Sequence, residues 1–162
     1  MEQLFINLQK HIKESLTAIV WVDENYGQLQ TQEDTYPIPF PCVLIDTPSV
    51  QWSDVEGNSQ LGTVTVILSL AIDCYHDTYA GSGQEAYAAE RQTMNHDLHK
   101  AVQGYIAGEH CGKLIRQSSR FYSLPGAIKV YETTYTCPIK DIIKPNYTEV
   151  ARPTIKIKPS IT

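Results

Sequence analysis

The sequence lacks any long apolar run. Its 162 residues contain no stretch approaching the roughly 18 uninterrupted apolar residues that a membrane span requires. The opening segment, MEQLFINLQKHIKESL, carries acids and bases throughout and has neither a basic n-region nor a small-residue cleavage site, so it does not resemble a secretory signal. We therefore expect a protein that is neither membrane-spanning nor secreted and that is made in the cytoplasm.

Motifs for catalysis and for metal or nucleotide binding are also missing. The chain has no P-loop lysine motif, no complete GxGxxG and no HExxH, and Ser82 is not flanked as a GxSxG nucleophile would be. His96 and His99 are three residues apart, whereas helical zinc ligands are more often spaced by four and need a third ligand. We expect no catalytic residue, no cofactor and no metal.

One enzymatic alternative remains open. His76 and Asp77 are adjacent at the end of a predicted strand, where neighbouring side chains point to opposite faces of an extended chain. A small enzyme or ligand-binding domain could place its site around His76, Asp77 and Tyr79, between a helix and the sheet.

The cysteines do not form a motif. Four cysteines, at positions 42, 74, 111 and 137, include no CxxC pair, and three of them fall in strand-like segments. Buried free thiols are expected, because a disulfide would be unusual in a reducing cytoplasm. A disulfide between neighbouring strands is the alternative.

Lysine and arginine are scarce in the first part of the chain. Residues 1–100 hold 4 Lys/Arg against 14 Asp/Glu, a net charge of -10, whereas residues 101–162 hold 9 against 4, a net charge of +5. No cluster of basic residues with interleaved aromatics occurs before Lys113. Sequence-specific binding of DNA or RNA is therefore not expected, and the two parts of the chain carry unlike charge.

A long alternating strand dominates the middle of the sequence. In GTVTVILSLAIDCYHDTY, residues 62–79, every second position from Val64 to Cys74 is apolar. We predict a strand over residues 63–75 whose even positions face the core, with a length of roughly 40 Å at about 3.3 Å per residue. So long a strand in a small domain predicts that part of it serves something outside its own core.

Two helices are predicted. Leu4, Leu8, Ile12 and Leu16 recur every four residues and indicate an amphipathic first helix. The second begins after AGSG, with Ser82 and Glu85 at capping-box spacing, and ends at Gly104 or Gly108. Its packed face is predicted to contain Tyr87, Arg91, Met94, Leu98, Ala101 and Tyr105, with Arg91 at the rim.

The remaining segments are strands and polar connections. Strands are predicted within residues 17–24 and over residues 40–46, separated by the polar loop 25–39, and residues 53–62 are predicted to turn. Residues 114–123 and 127–139 form a hairpin across Pro125 and Gly126. The prediction is an α+β domain over residues 1–140, with a mostly antiparallel sheet and two helices on one face, followed by an extended C-terminal arm over residues 141–162.

The order of these elements resembles a known family. A strand opening with PFPCVLIDTP, the long strand GTVTVILSLAIDCYHDT, a helix just after a Gly-Ser pair and a closing hairpin resemble the tail terminator, or tail completion, proteins of long-tailed bacteriophages. The resemblance covers about residues 1–140. It implies a small, non-enzymatic virion protein that forms a ring, commonly of six copies, and caps the tail tube. The acidic loop at residues 23–36 and the arm from residue 140 are longer than expected for the smallest members of the family, which leaves the details of any interface open.

The resemblance also implies partners. These are other copies of the chain, the tail tube protein and a neck or head-closure protein, met in the virion after assembly in the cytoplasm of the bacterial host. Another neck or head-closure component is the nearest alternative.

A ring closes through contact between two unlike patches, which the uneven charge can supply. The predicted subunit interface joins acidic residues to basic residues on the arm. The arm would lie along a neighbour's open strand edge and add main-chain hydrogen bonds. The interface residues are Asp23, Glu24, Glu33, Asp34, Arg152, Lys156 and Lys158.

Overall fold

The computed structural model describes residues 2–30, 38–55 and 59–142. In chain order these form α1 (Glu2–Ser15), β1 (Trp21–Glu24), β2 (Cys42–Val55), β3 (Ser59–Asp73), α2 (Ala86–Val102), β4 (Ile115–Leu124) and β5 (Ile128–Ile142). The strands make one five-stranded sheet in the order β1-β2-β3-β5-β4. Only β1, which runs parallel to β2, departs from antiparallel pairing among these strands. The predicted α+β class is confirmed.

Both helices lie on one face of the sheet. Leu4, Leu8 and Ile12 of α1 are buried, and they share a single apolar core with Leu98 and Val102 of α2. Three hydrogen bonds join α1 to the end of α2 and the residues after it: the Asn7 amide donates to the Ala107 carbonyl at 2.5 Å, a ring nitrogen of His11 lies 2.9 Å from the Ala101 carbonyl, and the Tyr105 hydroxyl donates to the Asn7 carbonyl at 3.3 Å. None of the helices in the described ranges is long and apolar enough to cross a membrane.

The long central strand is confirmed, with shifted ends. β3 runs from Ser59 to Asp73, and its even positions from Val64 to Ile72 are buried beneath the helices. The strand begins four residues before the predicted start and ends two before the predicted end. Near its start, Leu61 projects to the face away from the helices and is 47% exposed, whereas Gly62 beside it is buried.

The prediction for β2 was wrong in length. The strand extends to Val55, whereas a strand over residues 40–46 followed by a turn over 53–62 was expected. Residues 49–55 pair with β3 almost to the tip of the hairpin, after a bulge between Asp46 and Ser49. Pairing with a long neighbouring strand therefore extends β2 through a polar segment whose own composition predicts no strand.

The start of α2 also differs from the prediction. The helix begins at Ala86, and no capping box forms: Glu85 is the N-cap without a side-chain bond, and the Ser82 hydroxyl instead accepts the Gln84 N–H at 3.1 Å. The Glu85 carboxylate accepts the Gly81 N–H at 2.5 Å, so these side chains stabilise the preceding turn. The predicted end is confirmed by Gly104, whose φ of +80° suits glycine.

The predicted face of α2 is only partly packed. Leu98 is buried and Met94, Arg91 and Ala101 are half-buried, whereas Tyr87 is 39% exposed and stacks on His76. Tyr105 lies beyond the end of the helix and stacks on His11 of α1, with ring centroids 3.8 Å apart.

The predicted closing hairpin is confirmed as β4 and β5, joined at Pro125 and Gly126. β5 runs on to Ile142 beside β3. The rest of the predicted C-terminal arm, residues 143–162, lies outside the described residues and stays a prediction.

The sheet face away from the helices has a small apolar cluster at one end only. Its buried members are Cys42, Leu44, Ala71 and Val130, covered in part by Trp21, Leu29, Ile38 and Phe40. The four cysteines are all free thiols; Cys42 and Cys137 are buried, and Cys74 and Cys111 are half-buried. The expected free thiols are confirmed.

Candidate assembly surfaces

Charge is divided across the width of the sheet. The strands β1, β2 and β3 contain five acidic residues and no lysine or arginine: Asp23, Glu24, Asp46, Asp54 and Asp73. The strands β4 and β5 contain Arg116, Arg120, Lys129 and Lys140 against Glu132 and Asp141. In the order β1-β2-β3-β5-β4, the boundary between the two charges falls between β3 and β5, so one side of the sheet is acidic and the other is basic.

The described part of the predicted interface lies on the acidic side. Asp23 and Glu24 are the last residues of β1, with Asp23 half-buried and Glu24 exposed. The other five predicted interface residues (Glu33, Asp34, Arg152, Lys156 and Lys158) lie outside the described residues. The structure therefore places Asp23 and Glu24 at the end of β1, and the basic members lie outside the part of the chain that it describes.

The outer side of β1 is covered by α1. The Gln9 amide donates to the Val22 carbonyl at 2.8 Å, and the Lys13 ammonium donates to the carbonyls of Ile19 and Val20 at 2.9 and 2.8 Å. A helix laid against an edge strand in this way occupies groups that a further strand would need. β1 is therefore a protected edge.

The far half of β2 is an open edge. β1 pairs only with Cys42–Ile45, so beyond Ile45 no described strand lies on the outer side of β2. Every residue from Gln51 to Val55 is exposed. The segment carries one carboxylate, Asp54, which accepts a hydrogen bond from the Gln60 amide at 2.8 Å across the hairpin.

The second open edge is β4, on the opposite side of the sheet. Eight of its ten residues are exposed and the other two are half-buried, and in the described ranges no strand pairs with its outer side. Phe121 is 55% exposed and Ile115 41%. A ten-residue strand with both faces open and no proline is a template for pairing with another chain.

A polar groove runs between α2 and β4, with a volume of about 490 Å³. Its lining residues are Gln92, Asn95, His96, His99, Arg116, Ser119, Phe121 and Thr133. A ring nitrogen of His99 lies 3.0 Å from the Tyr135 hydroxyl at its floor. Burial, and then the charges of Arg116 and His96, lower the pKa of His99. The lowered pKa favours the neutral form of His99, so the groove presents a hydrogen-bonding surface whose positive charge comes from Arg116, beside an open strand edge.

Arg116 and Arg120 differ in their partners. The guanidinium of Arg120 makes a bidentate ion pair with Glu132, at 2.6 and 3.0 Å. The backbone N–H of Arg116 donates to the Gln103 side chain at 3.1 Å, and its guanidinium makes no hydrogen bond or ion pair with any residue in the described ranges. Arg116 is thus the available cation of the open edge.

The residues of the enzymatic alternative do not converge on a cavity. His76, Asp77 and Tyr79 are exposed, with Tyr79 at 68%. The cavity between α2 and the end of the sheet, about 350 Å³, is lined instead by residues such as Arg91, Lys129 and Tyr131. In the described part of the chain no group of three His, Cys, Asp or Glu side chains could hold a metal ion.

Sequence reasoning missed both open edges and the positions of Asp54 and Arg116 on them. The polar composition of β4 was visible, since IRQSSRFYS has polar residues at both odd and even positions. Which strand of the sheet is outermost was not visible, because strand order depends on pairing between distant segments.

Comparisons with known proteins add little. No protein-family model matches the chain, and no curated protein matches its sequence. The structure is similar to a chain of the virion of a native gene transfer agent particle, with a TM-score of 0.45 and 11% identity, over 83% of this chain and 95% of that chain. At that TM-score the likeness carries no argument about function.

Proposed function

We propose that the chain is a structural virion protein of a long-tailed bacteriophage that caps the tail tube as a ring and joins it to the head or neck. The observation that carries this proposal is the division of charge between the two sides of the sheet, which leaves an open acidic edge and an open basic edge on one small domain. The order of helices and strands agrees with the resemblance to tail terminator proteins noted from the sequence.

A ring of identical subunits needs two different, mutually complementary patches on each subunit. The acidic side, β1 to β3, and the basic side, β4 and β5, meet this requirement in charge. When each subunit makes this contact with the next, the subunits form a closed ring if the rotation from one copy to the next is a whole fraction of 360°. We propose six copies, as the resemblance implies.

The predicted interface residues form a second contact in the same proposal. Asp23 and Glu24 place two carboxylates on the acidic side, and Glu33 and Asp34 follow in the adjoining segment. The basic residues Arg152, Lys156 and Lys158 belong to the C-terminal arm, which begins after β5 ends at Ile142. An arm carrying these charges to a neighbour's acidic side adds electrostatic complementarity.

Measurement of mass in solution tests the ring. The full chain, of 18.2 kDa, is expected to scatter light alone as a particle about six times heavier, or to sediment with purified tail tubes at about six copies per tube end. A chain that stays monomeric under both conditions would exclude the ring.

Electron microscopy of labelled chain bound to tubes tests the position. Labels at the head-proximal end of the tube support the cap, whereas labels elsewhere in the neck support the alternative of another neck or head-closure component.

A further inference from the structure

We infer that the ring contact is made by strand pairing, in which the outer edge of β4 in one copy adds to the free half of β2, residues 46–55, in the next copy. This inference rests on the proposed ring and names the contact that closes it. It also gives a reason for the length of the β2–β3 hairpin, in which every residue of β2 from Gln51 to Val55 is exposed.

The two edges cannot meet within one molecule. β3 and β5 lie between β2 and β4. At about 4.8 Å per strand spacing, the outer strands of this set lie roughly 14 Å apart, with their open sides facing in opposite directions. The partner of each edge must therefore belong to another molecule, and a second copy of the same chain provides both edges.

Strand direction suits the pairing. β2, β3, β5 and β4 are joined by successive antiparallel pairings, so β4 runs opposite to β2. A neighbour placed by rotation with its strands in the same sense meets β4 with β2 in antiparallel orientation, the arrangement with direct cross-strand hydrogen bonds.

The two edges are also offset along the strands. Ile115, the first residue of β4, lies in the same row of the sheet as Thr136, Thr65 and Ser49. β4 extends from that row toward the end of the sheet where β1 lies, and the free half of β2 extends mostly the other way. If the two edges pair with this offset, each copy is shifted along the strand direction relative to the copy before it. A sheet that closes on itself requires such a shift, because its strands tilt relative to the axis of the ring.

The charges lie on the same face. Asp54 shares the helix-covered face of β2 with Val50 and Trp52, since these residues alternate along the strand. Arg116 is opposite Tyr135 of β5, whose ring is buried under α2, so Arg116 also projects to the helix-covered face. Pairing of the two edges would place the unpaired guanidinium of Arg116 on the same face as the Asp54 carboxylate of the neighbour, where the two attract each other.

A charge-reversal cycle on the full chain tests this pairing. Arg116→Glu and Asp54→Arg are each expected to raise the protein concentration needed for half assembly by about tenfold or more, because each places like charges across the joint. The double variant restores opposite charges and should return close to the wild-type value. Lys10→Glu and Glu90→Arg, exposed charges on the helices, are matched controls that should leave assembly unchanged.

Hydrogen exchange supplies a second readout. Amides of β4 are expected to gain protection in the assembled wild-type chain relative to the Arg116→Glu variant at the same concentration. Circular dichroism of each variant confirms that it folds.

The outcomes separate the pairing from the proposed function. An oligomer whose mass is unaffected by either reversal, or one in which β4 amides gain no protection, overturns the strand pairing while the ring stands. A double variant that stays dissociated also counts against it. A wild-type chain that never assembles, with or without tubes, overturns both.

Discussion

The indole ring of Trp52 on β2 lies against the backbone of Gly62, its partner on β3. A Cβ atom added at Gly62 would lie 2.8 Å from the ring carbons Cε3 and Cζ3 and 3.0 Å from Cγ1 of Ile139. Glycine at this position lets the ring lie flat across the far half of the hairpin. Trp52 thus keeps a fixed place on an exposed part of the sheet.

Gly62→Ala is therefore expected to displace the Trp52 ring and to lower the free energy of unfolding by about 1–3 kcal/mol, as overpacking does. Urea unfolding measures the loss, and fluorescence in a Trp21→Phe background reports the ring moving into water. In a chain that also carries Trp52→Ala, Gly62→Ala should cost less. An equal cost in both backgrounds would show that the ring is not the obstacle.

The core between α1 and the sheet gives a second prediction. Leu8 is completely buried in the main apolar core, whereas Ile6, on the same helix, is 46% exposed. Leu8→Ala should lower the free energy of unfolding by about 2–5 kcal/mol through lost burial and a cavity. Ile6→Ala should change it by less than about 0.5 kcal/mol. Urea titrations that gave similar losses for both variants would contradict the packing of α1.

The buried thiol of Cys42 gives a prediction for alkaline pH. Burial raises the pKa of Cys42 from 9.0 to about 12. The folded state therefore keeps the thiol proton at pH values where the unfolded state loses it. This contribution is complete below pH 9 and is lost as the pH rises toward 12, at about 1.4 kcal/mol per pH unit.

Urea unfolding at several pH values between about 9 and 11 should show a shallower fall in stability for Cys42→Ala than for the wild type. Ile6→Ala, which removes an exposed side chain with no titratable group, is the control and should keep the wild-type slope. Burial likewise raises the pKa of Tyr135 from 10.0 to about 12, so Tyr135→Phe should flatten the profile only above pH 10. Identical slopes in all variants would contradict the burial of these groups.

The C-terminal arm gives a prediction about assembly. Deletion of residues 145–162 should lower the mass measured by light scattering, because it removes the basic residues proposed to reach a neighbour's acidic side. A full-length variant with Arg152, Lys156 and Lys158 changed to Gln should lose mass to a similar degree if charge is the cause. Raising salt from about 0.05 to 0.5 M should weaken the same contact, since screening shortens the reach of exposed charges. An unchanged oligomer after deletion would remove the arm from the proposal.

Local pattern explains which elements were predictable. The four-residue spacing of Leu4, Leu8 and Ile12 and the two-residue spacing of Val64 to Ile72 each arise from one face of one element, so they are legible in the sequence. The turn at Pro125 and Gly126 is equally local. The capping box failed because Ser82 and Glu85 have other backbone partners, in the turn before α2.

The sequence predicted the charges of the candidate interface but not its location on the sheet. The scarcity of lysine and arginine before residue 100 indicated unlike charged surfaces, and Asp23 and Glu24 do lie on the acidic side. The open edge could not be read from the sequence, because α1 covers β1 and the strand that remains open includes the part of β2 expected to be a turn.

The amino-acid sequence by itself determined the buried stripes of α1 and β3 and the excess of acid before base along the chain, since both are properties of neighbouring residues. Tertiary structure alone decided where those charges lie in space. The insertion of β5 between β3 and β4 depends on the pairing of β5 with β3, whose partners are more than 50 residues apart, and it places Arg116 at one border of the sheet and Asp54 toward the other.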